Sequence, residues 1–147
     1  MNLNTKYFSD LSYTEEEVIT FQSGIFGFEN SKRFLLIRFE EENGGLLCLQ
    51  NLEDTQLAFI VMNPFCFPLG YTPKLSEKDL EQLGSPDEKS LLCYNICVLN
   101  DDVKKSSVNL RCPLIINGDT RQALQVILED DRYSFKHPFY KIFEGER

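Results

Sequence analysis

Short runs of β-branched and aromatic residues, separated by Gly, Pro and Asn, recur along the whole chain. This spacing is typical of strands that are joined by turns. Several runs are apolar on both faces, and such strands need cover on both sides. We therefore expect an all-β chain, folded as an antiparallel barrel-like or sandwich domain over residues 1–147. The pattern predicts nine strands, near residues 5–8, 18–21, 33–39, 46–50, 58–62, 91–99, 108–111, 114–116 and 123–128.

Two turn sequences predict hairpins between neighbouring strands. They are Glu42-Asn-Gly-Gly45 and Asn117-Gly-Asp-Thr120, and the Asn-Gly pair favours the positive φ that a tight hairpin needs. One short helix is predicted at Ser76–Leu83, because Ser76 is a good N-cap with Asp79 at the third helical position. Gly84 then supplies the residue that ends the helix.

The overall charge restricts the class of partner. The chain has 147 residues and a net charge of −8, which disfavours nucleic acid, since binding to phosphates depends on Lys and Arg. It equally disfavours anionic membrane surfaces, whereas a basic protein partner would be attracted. The N-terminal residues lack the pattern of a secretory signal, and no apolar run is long enough to span a bilayer. We expect a cytoplasmic protein.

The cysteine pattern predicts structural thiols. The five cysteines are Cys48, Cys66, Cys93, Cys97 and Cys112, and without a secretory signal they are expected to be reduced. Cys93 and Cys97 share one face of a predicted strand, but four residues of strand separate them by about 13 Å. Neither a disulfide nor a shared metal spans that distance.

Catalytic patterns are weak in this sequence. His137 is the single histidine, and no G-x-S-x-G elbow is present, so we expect a protein without catalytic, cofactor-binding or metal-binding residues. A small thiol hydrolase or acyl-transfer enzyme that pairs a cysteine with His137 stays open as the alternative. Gly24-Ile-Phe-Gly27 lacks the following helix of a phosphate loop. It predicts a tight apolar turn that exposes Ile25 and Phe26 or tucks them inward.

Two aromatic segments are candidate interaction surfaces. Asn63-Pro-Phe-Cys-Phe-Pro68 follows a predicted strand and cannot extend its ladder easily, because Pro has no N–H to donate. Its rings are either buried as a plug or displayed on a rigid loop, where aromatic side chains are favoured interface anchors. The second segment, from Tyr133 to Phe143, is rich in aromatic residues and locally basic, which suggests an interface.

Taken in order, several of these motifs resemble a known family. They include Gly24-Ile-Phe-Gly-Phe-Glu29, Leu57-Ala-Phe59, Asn63-Pro64-Phe65, Pro113-Leu-Ile-Ile-Asn117 and His137-Pro138. Each motif is unspecific by itself, but the ordered set resembles the bacterial flagellar assembly factor FliW family over almost the whole chain. Lys136 stands where that family usually has an arginine. It keeps the charge but loses the planar fork of a guanidinium group.

The resemblance implies a small, mostly antiparallel β-barrel-like protein without catalytic activity or cofactor. It also implies two cytoplasmic protein partners. One is flagellin, and the other is CsrA, an RNA-binding translational regulator. Binding would antagonise CsrA noncompetitively, so that flagellin translation is derepressed. A switch between two partners requires only a difference in affinity.

Six residues are predicted to contact the partners. Phe65 and Tyr133 would act as aromatic anchors, while His137 would provide a polar contact. Structural roles are the alternative, with Asn63 at a bend and Asn117 in the left-handed conformation of a turn. The full set is Asn63, Pro64, Phe65, Asn117, Tyr133 and His137.

Overall fold

The chain folds mainly into strands in the computed structural model, which describes residues 2–39, 45–67 and 70–139. One short α-helix, α1 (Glu77–Gln82), and several 3-10 turns interrupt them. The strands are β1 (Asn2–Leu3), β2 (Leu11–Ser12), β3 (Ile19–Phe21), β4 (Arg33–Arg38), β5 (Leu46–Asn51), β6 (Ala58–Met62), β7 (Leu91–Val98), β8 (Ser107–Val108), β9 (Leu114–Asn117), β10 (Gln122–Gln125) and β11 (His137–Pro138).

Seven of these strands close into a barrel in the order β9-β7-β6-β5-β4-β3-β10, because β10 pairs again with β9. Neighbours in the barrel run antiparallel except β3 and β10, which are parallel. Closure removes the free sheet edges that a flat sheet would expose. Beyond the barrel, β8 pairs with β7 and β11 pairs with β8. The predicted all-β fold with one short helix is confirmed, in its barrel form.

Alternate residues of the barrel strands fill its interior. On β3, for example, Ile19 and Phe21 are both fully buried, and Phe34 of β4 packs edge-to-face on the Phe21 ring with 5.5 Å between centroids. Because side chains alternate across a strand, every second residue of a closed barrel points inward. The buried interior residues are Ile19, Phe21, Ile25, Phe34, Leu49, Val61, Leu114, Ile116 and Ala123.

The outer face of the barrel is also covered, which explains why the strands are apolar on both sides. Met62 of β6, Cys97 of β7 and Ile115 of β9 pack outside the barrel against residues of the loops and of the segment after β10. A smaller cluster around Tyr13 and Leu35 lies under β1 and β2. The expectation that these strands need cover on both faces is confirmed. The covering residues of the larger cluster are Tyr71, Leu83, Leu110, Val126, Leu128 and Phe139.

The strand predicted at residues 5–8 is wrong. The Thr5 amide donates to the Phe8 carbonyl (2.7 Å), and the Phe8 amide donates to the Thr5 hydroxyl (3.1 Å), which closes a turn. Side chains of Ser and Thr that bond to nearby backbone compete in this way with a strand ladder. The paired residues flank the turn, in β1 and β2.

Other boundaries shift by a few residues. The strand predicted at 108–111 ends at Val108, because the Asn109 side chain accepts the Cys112 amide (2.8 Å) and bends the chain before Pro113. The β10 ladder ends at Gln125 rather than at residue 128. The β9–β10 hairpin forms as predicted. β4 and β5 pair antiparallel, although most of the turn predicted between them lies outside the described residues.

The helix prediction is confirmed with a shorter span. Ser76 caps α1 by accepting the Asp79 amide (3.1 Å), and the Asp79 carboxylate accepts the Ser76 amide (3.4 Å), as a capping box does. Leu83 is the C-cap and is buried in the outer cluster, which fixes the helix to the barrel. Within the described residues, no helix is both long and apolar enough to cross a membrane.

Candidate interaction surface

The loop after β6 begins with a capped turn and presents one aromatic ring to solvent. The Asn63 side chain accepts the Phe65 amide (2.9 Å) and so caps a 3-10 turn at Pro64–Cys66. Pro64 is buried at the first position of that turn, where its missing N–H costs nothing. Phe65 is 61% exposed, whereas Phe67 packs against the outer cluster. The loop thus combines the two alternatives, since one ring is displayed and another is buried.

Tyr71 connects Phe65 to the other predicted aromatic anchor. Its ring lies 6.4 Å from Phe65 and 4.7 Å from Tyr133, the latter edge-to-face. The Tyr71 hydroxyl donates to the Leu110 carbonyl (2.6 Å) and accepts from the Asn95 amide group (3.3 Å). Burial raises the pKa of Tyr71 well above its usual range. The ring is therefore a fixed, neutral support for its two neighbours.

Tyr133 is held from its hydroxyl end. The Thr72 amide donates to the Tyr133 hydroxyl (2.9 Å), and the Arg132 guanidinium lies over the Tyr133 ring at 5.6 Å. Phe65 and Tyr133 are far apart in the sequence, but the fold places both beside Tyr71. Aromatic side chains with few free torsions lose little entropy on binding, which suits interface anchors.

Phe65 and Tyr71 line one side of a cleft of about 570 Å³, which we call the aromatic cleft. Leu80 of α1 and Leu91 and Cys93 of β7 also line it. Lys74 and Glu88 stand among the lining residues as its charged groups. The cleft is mostly apolar, and its lining includes residues of β7 and of the capped helix α1.

Asn117 is placed away from the aromatic cleft surface. It is only 3% exposed, and its amide group donates to the Leu83 carbonyl at the end of α1 (2.8 Å). Its side-chain oxygen accepts the amides of Asp119 (3.0 Å) and Thr120 (3.4 Å). The left-handed residue of this turn is Arg121 (φ 65°), so the left-handed expectation for Asn117 is wrong. The side chain tethers the helix and the hairpin to each other.

The turn after β3 also splits its apolar residues. Ile25 fills the barrel interior, whereas Phe26 is 49% exposed. Gln125, which is buried, accepts the Phe26 amide (2.8 Å) and donates to the Cys112 carbonyl (3.3 Å). Gly24 has φ 68°, and a Cβ there would lie 2.5 Å from the Glu29 backbone. The turn therefore requires glycine at position 24 and fixes Phe26 on the surface.

His137 lies in β11, opposite Val108 of β8. Its neighbours Lys136 and Pro138 line a second depression of about 780 Å³, together with Phe26, Val98, Phe135 and two further lysines, Lys104 and Lys105. We call this depression the lysine-rimmed groove. Of the predicted residues, Phe65 lines the aromatic cleft, Asn63 and Pro64 belong to the turn that carries it, and Tyr133 contacts the cleft residue Tyr71. His137 lies beside the groove, and Asn117 is bonded to the end of the helix. Their role in binding partners stays a prediction.

Four of the five thiols are poorly suited to nucleophilic attack. Burial raises the pKa of Cys48 to about 11 and that of Cys93 and Cys97 to about 12, and it also raises that of Cys112. A thiol is reactive as the thiolate, so a raised pKa opposes catalysis. Cys66 is exposed on the 3-10 turn. Within residues 2–39, 45–67 and 70–139, no three His, Cys, Asp or Glu side chains are grouped to hold a metal ion.

Sequence reasoning did not single out Tyr71, Val98, Lys104 or Lys105. Tyr71 follows Phe65 and Phe67 in the stretch before the helix, and the one signal that could have pointed to it is an aromatic residue among turn-forming residues. Val98 ends a strand that is apolar on both faces. Only the fold shows that its end is uncovered, with Val98 64% exposed.

The fold and these surfaces define a class, namely small closed β-barrel proteins that present aromatic side chains on rigid loops. The model of the family described as FliW protein matches residues 2–139. The flagellar assembly factor FliW of Clostridium botulinum strain Langeland is 40% identical over 96% of this chain and 98% of its own. That of Caldanaerobacter subterraneus is 38% identical over 94% and 92%. The chain therefore belongs to the FliW family.

A solved structure agrees with this assignment. The crystal structure of a flagellar assembly factor FliW superposes with a TM-score of 0.86 at 31% identity, and it covers 95% of this chain and 96% of that chain. The resemblance that the ordered sequence motifs predict is confirmed over nearly the full length.

Proposed function

We propose that the chain is a cytoplasmic flagellar assembly factor that works by binding two proteins in turn. It binds flagellin, and when flagellin is scarce it binds the translational regulator CsrA and antagonises it noncompetitively. The repression of flagellin translation is then relieved. The relatives named above are flagellar assembly factors, which supports a role in flagellar assembly. The two partners follow from the family resemblance.

The observation that carries the proposal is the aromatic cleft. Phe65 is 61% exposed on a capped turn, beside the buried Tyr71 ring and Tyr133. Burying an exposed phenylalanine against a partner removes a large apolar area from water, and a rigid loop loses little entropy in doing so. Asn63 and Pro64 act indirectly in this scheme, because they hold the turn that presents Phe65.

Charge supports the choice of a basic partner. The chain carries a net charge of −8, whereas a protein that binds RNA presents basic groups to phosphates. Opposite net charges accelerate the encounter of two proteins and add less to the final affinity. The charge therefore accounts for fast capture of CsrA, and the aromatic cleft supplies the apolar contact.

Isothermal titration with the CsrA protein and the flagellin of the same organism tests the proposal. We expect each protein to bind, and flagellin bound first to abolish the heat of CsrA binding. Phe65→Ala should weaken binding by about tenfold or more, as the loss of an aromatic anchor does. Ile127→Ala is the matched control, because Ile127 is similarly exposed (59%) and lines neither the cleft nor the groove. No heat and no co-elution with either protein would exclude the proposal.

The noncompetitive mechanism needs a separate measurement. The chain should lower the amount of RNA that CsrA binds even when RNA is present in large excess, because the two ligands would occupy different surfaces of CsrA. Recovery of full RNA binding at high RNA concentration would show direct competition instead.

A further inference from the structure

The lysine-rimmed groove is separate from the aromatic cleft and has an unusual surface. Phe26, Val98 and Phe135 line it and are 49%, 64% and 53% exposed. The three residues come from the turn after β3, the end of β7 and the segment before β11. Exposed apolar residues that share one depression with a polar rim indicate an interaction site, whereas single exposed apolar residues are common on any protein surface.

The apolar side chains of the groove are held in position. The buried Gln125 side chain accepts the Phe26 amide (2.8 Å), which ties the turn to β10 of the barrel. The Arg111 guanidinium lies over the Phe135 ring at 5.6 Å, and its Nε donates to the Leu128 carbonyl. A surface that is already ordered before binding loses little entropy when a partner docks.

The charge at the groove is opposite to that of the whole chain. Lys104, Lys105 and Lys136 line it and are exposed, and none of the described residues that line it is acidic. The nearby Asp102 carboxylate accepts the Lys104 amide (3.0 Å) within the 3-10 turn that precedes β8. On a chain of net charge −8, such a local basic rim attracts acidic groups and repels basic ones.

The strands beneath the groove have little free backbone to offer. β6 pairs with β5 and β7, β7 pairs with β6 and β8, and β8 pairs with β7 and β11. The edge strand is β11, but it has only two residues, and Pro138 has no N–H to donate to an added strand. Addition of an extra strand requires an exposed strand edge, whereas a helix in a groove binds through side chains alone. The groove therefore suits the second mode.

We propose that the lysine-rimmed groove is the docking site for an acidic amphipathic helix of a protein partner. The apolar face of the helix packs on Phe26, Val98 and Phe135, and its flanking carboxylates pair with Lys104, Lys105 and Lys136. The proposal goes beyond the function given above, because it holds whichever protein carries the helix. Since the lysines would repel a basic partner, such a partner is expected at a different surface of the barrel.

Fluorescence anisotropy with a labelled synthetic peptide tests this docking site. The probe is an amphipathic peptide of about 18 residues, with leucines on one helical face and glutamates beside them. A second peptide with lysine at every glutamate position is the control for charge. The full-length chain should bind the acidic peptide and not the basic one, and added salt should weaken the binding.

Two pairs of variants locate the peptide. The double variant Lys104→Glu/Lys105→Glu should lower the affinity for the acidic peptide by about tenfold, and Phe135→Ala should do so by a similar factor. The matched controls are Lys32→Glu/Lys78→Glu and Ile127→Ala, and each should change the affinity by less than about twofold. The double control variant changes the net charge equally, at exposed sites outside the groove.

Three results would overturn the proposal. One is failure of the acidic peptide to bind the wild-type chain, and another is an equal loss of affinity in the groove variants and their controls. The third is self-association of the wild-type chain in sedimentation that Lys104→Glu/Lys105→Glu abolishes, because the groove would then hold a second copy of this chain. Circular dichroism confirms beforehand that each variant is folded.

Discussion

The aromatic cleft and the lysine-rimmed groove are both apolar depressions on one barrel, yet they are built differently. The cleft lies against β7 and α1, and its exposed ring, Phe65, stands on a turn that Asn63 caps. The groove lies near β8 and β11, two strands of two residues each, and three lysines line it. The cleft is a nearly neutral aromatic surface on an acidic chain, whereas the groove is locally basic.

The difference shows how one small barrel can offer two kinds of contact. Burial of an aromatic side chain contributes mostly to affinity, whereas charges at a rim contribute mostly to the rate of association and to the choice of partner. Because each surface has its own supporting residue, Asn117 for the cleft and Gly24 for the groove, substitutions can separate them.

Gly24→Ala should be the most damaging of these changes. Its Cβ would lie 2.5 Å from backbone atoms of Glu29, at a φ of 68°, so the turn that carries Phe26 must rearrange, at about 3 kcal/mol or more. Gly27→Ala is the matched control, since Gly27 has φ 86° but no atom within 4 Å of its added Cβ. It should cost about 1 kcal/mol. Equal losses of unfolding free energy in urea would contradict the role of the close approach at Gly24.

Asn117→Ala should weaken the support of the cleft. The substitution removes the buried amide group that donates to the Leu83 carbonyl (2.8 Å). The carbonyl then stays buried without this partner, which should lower the unfolding free energy by about 2–3 kcal/mol. Asn63→Ala, which removes the partly exposed cap of the 3-10 turn, should cost about 1 kcal/mol. Chemical unfolding of the two variants compares these values. The prediction fails if Asn117→Ala is as mild as Asn63→Ala.

Binding at the two surfaces should be independent. Phe65→Ala should weaken CsrA or flagellin binding about tenfold and leave the affinity for the acidic peptide within about twofold, and Lys104→Glu/Lys105→Glu should do the reverse. Because Phe65 is mostly exposed, its loss should change the unfolding free energy by less than about 0.5 kcal/mol. Titration and anisotropy on the same preparations measure both. A variant that weakens both ligands equally would show that the two surfaces form one site.

Thiol labelling distinguishes the surfaces without changing stability. Cys66, exposed beside Phe65, should react quickly with an aromatic disulfide reagent, and Cys66→Ser should remove that fast phase. The pKa of Cys48 is raised to about 11 and that of Cys93 and Cys97 to about 12. These thiols therefore stay protonated and should not label in the folded chain between about pH 7 and 9.

The same reaction reports which surface is occupied. A protein bound at the aromatic cleft should slow the labelling of Cys66, whereas the acidic peptide bound at the groove should leave its rate unchanged. Protection of Cys66 by the peptide would place the peptide at the cleft and contradict its assignment to the groove.

The comparison of sequence and structure separates local from distant signals. The bounds of β6 agree with the prediction for residues 58–62, and the Ser76 capping box marks the start of α1, because both patterns act within a few residues. The strand expectation for residues 5–8 is wrong because an apolar pattern does not show the Thr5 hydroxyl hydrogen bond that closes the turn. β11 was missed because His137 and Pro138 pair with a strand about thirty residues away.

The candidate site shows the same division. Phe65 was singled out because two prolines and two phenylalanines after a strand restrict the loop, and that restriction is local. Asn117 was also singled out, but a buried tether and a surface contact look identical in sequence, and only the position of the Leu83 carbonyl distinguishes them. Tyr71 has no distinctive neighbours, and its role arises from Phe65 and Tyr133 meeting on its two sides.

Residue type and spacing along the chain are enough to predict the all-β class, the helix cap, the hairpin after β9 and the membership in the FliW family. Closure of the barrel through a parallel β3–β10 pair and the exposure of particular aromatic rings follow only from the three-dimensional fold. The fold also brings lysines from separate segments to one groove. These properties depend on contacts between residues far apart in the chain, and burial and electrostatic complementarity act through space rather than along the sequence.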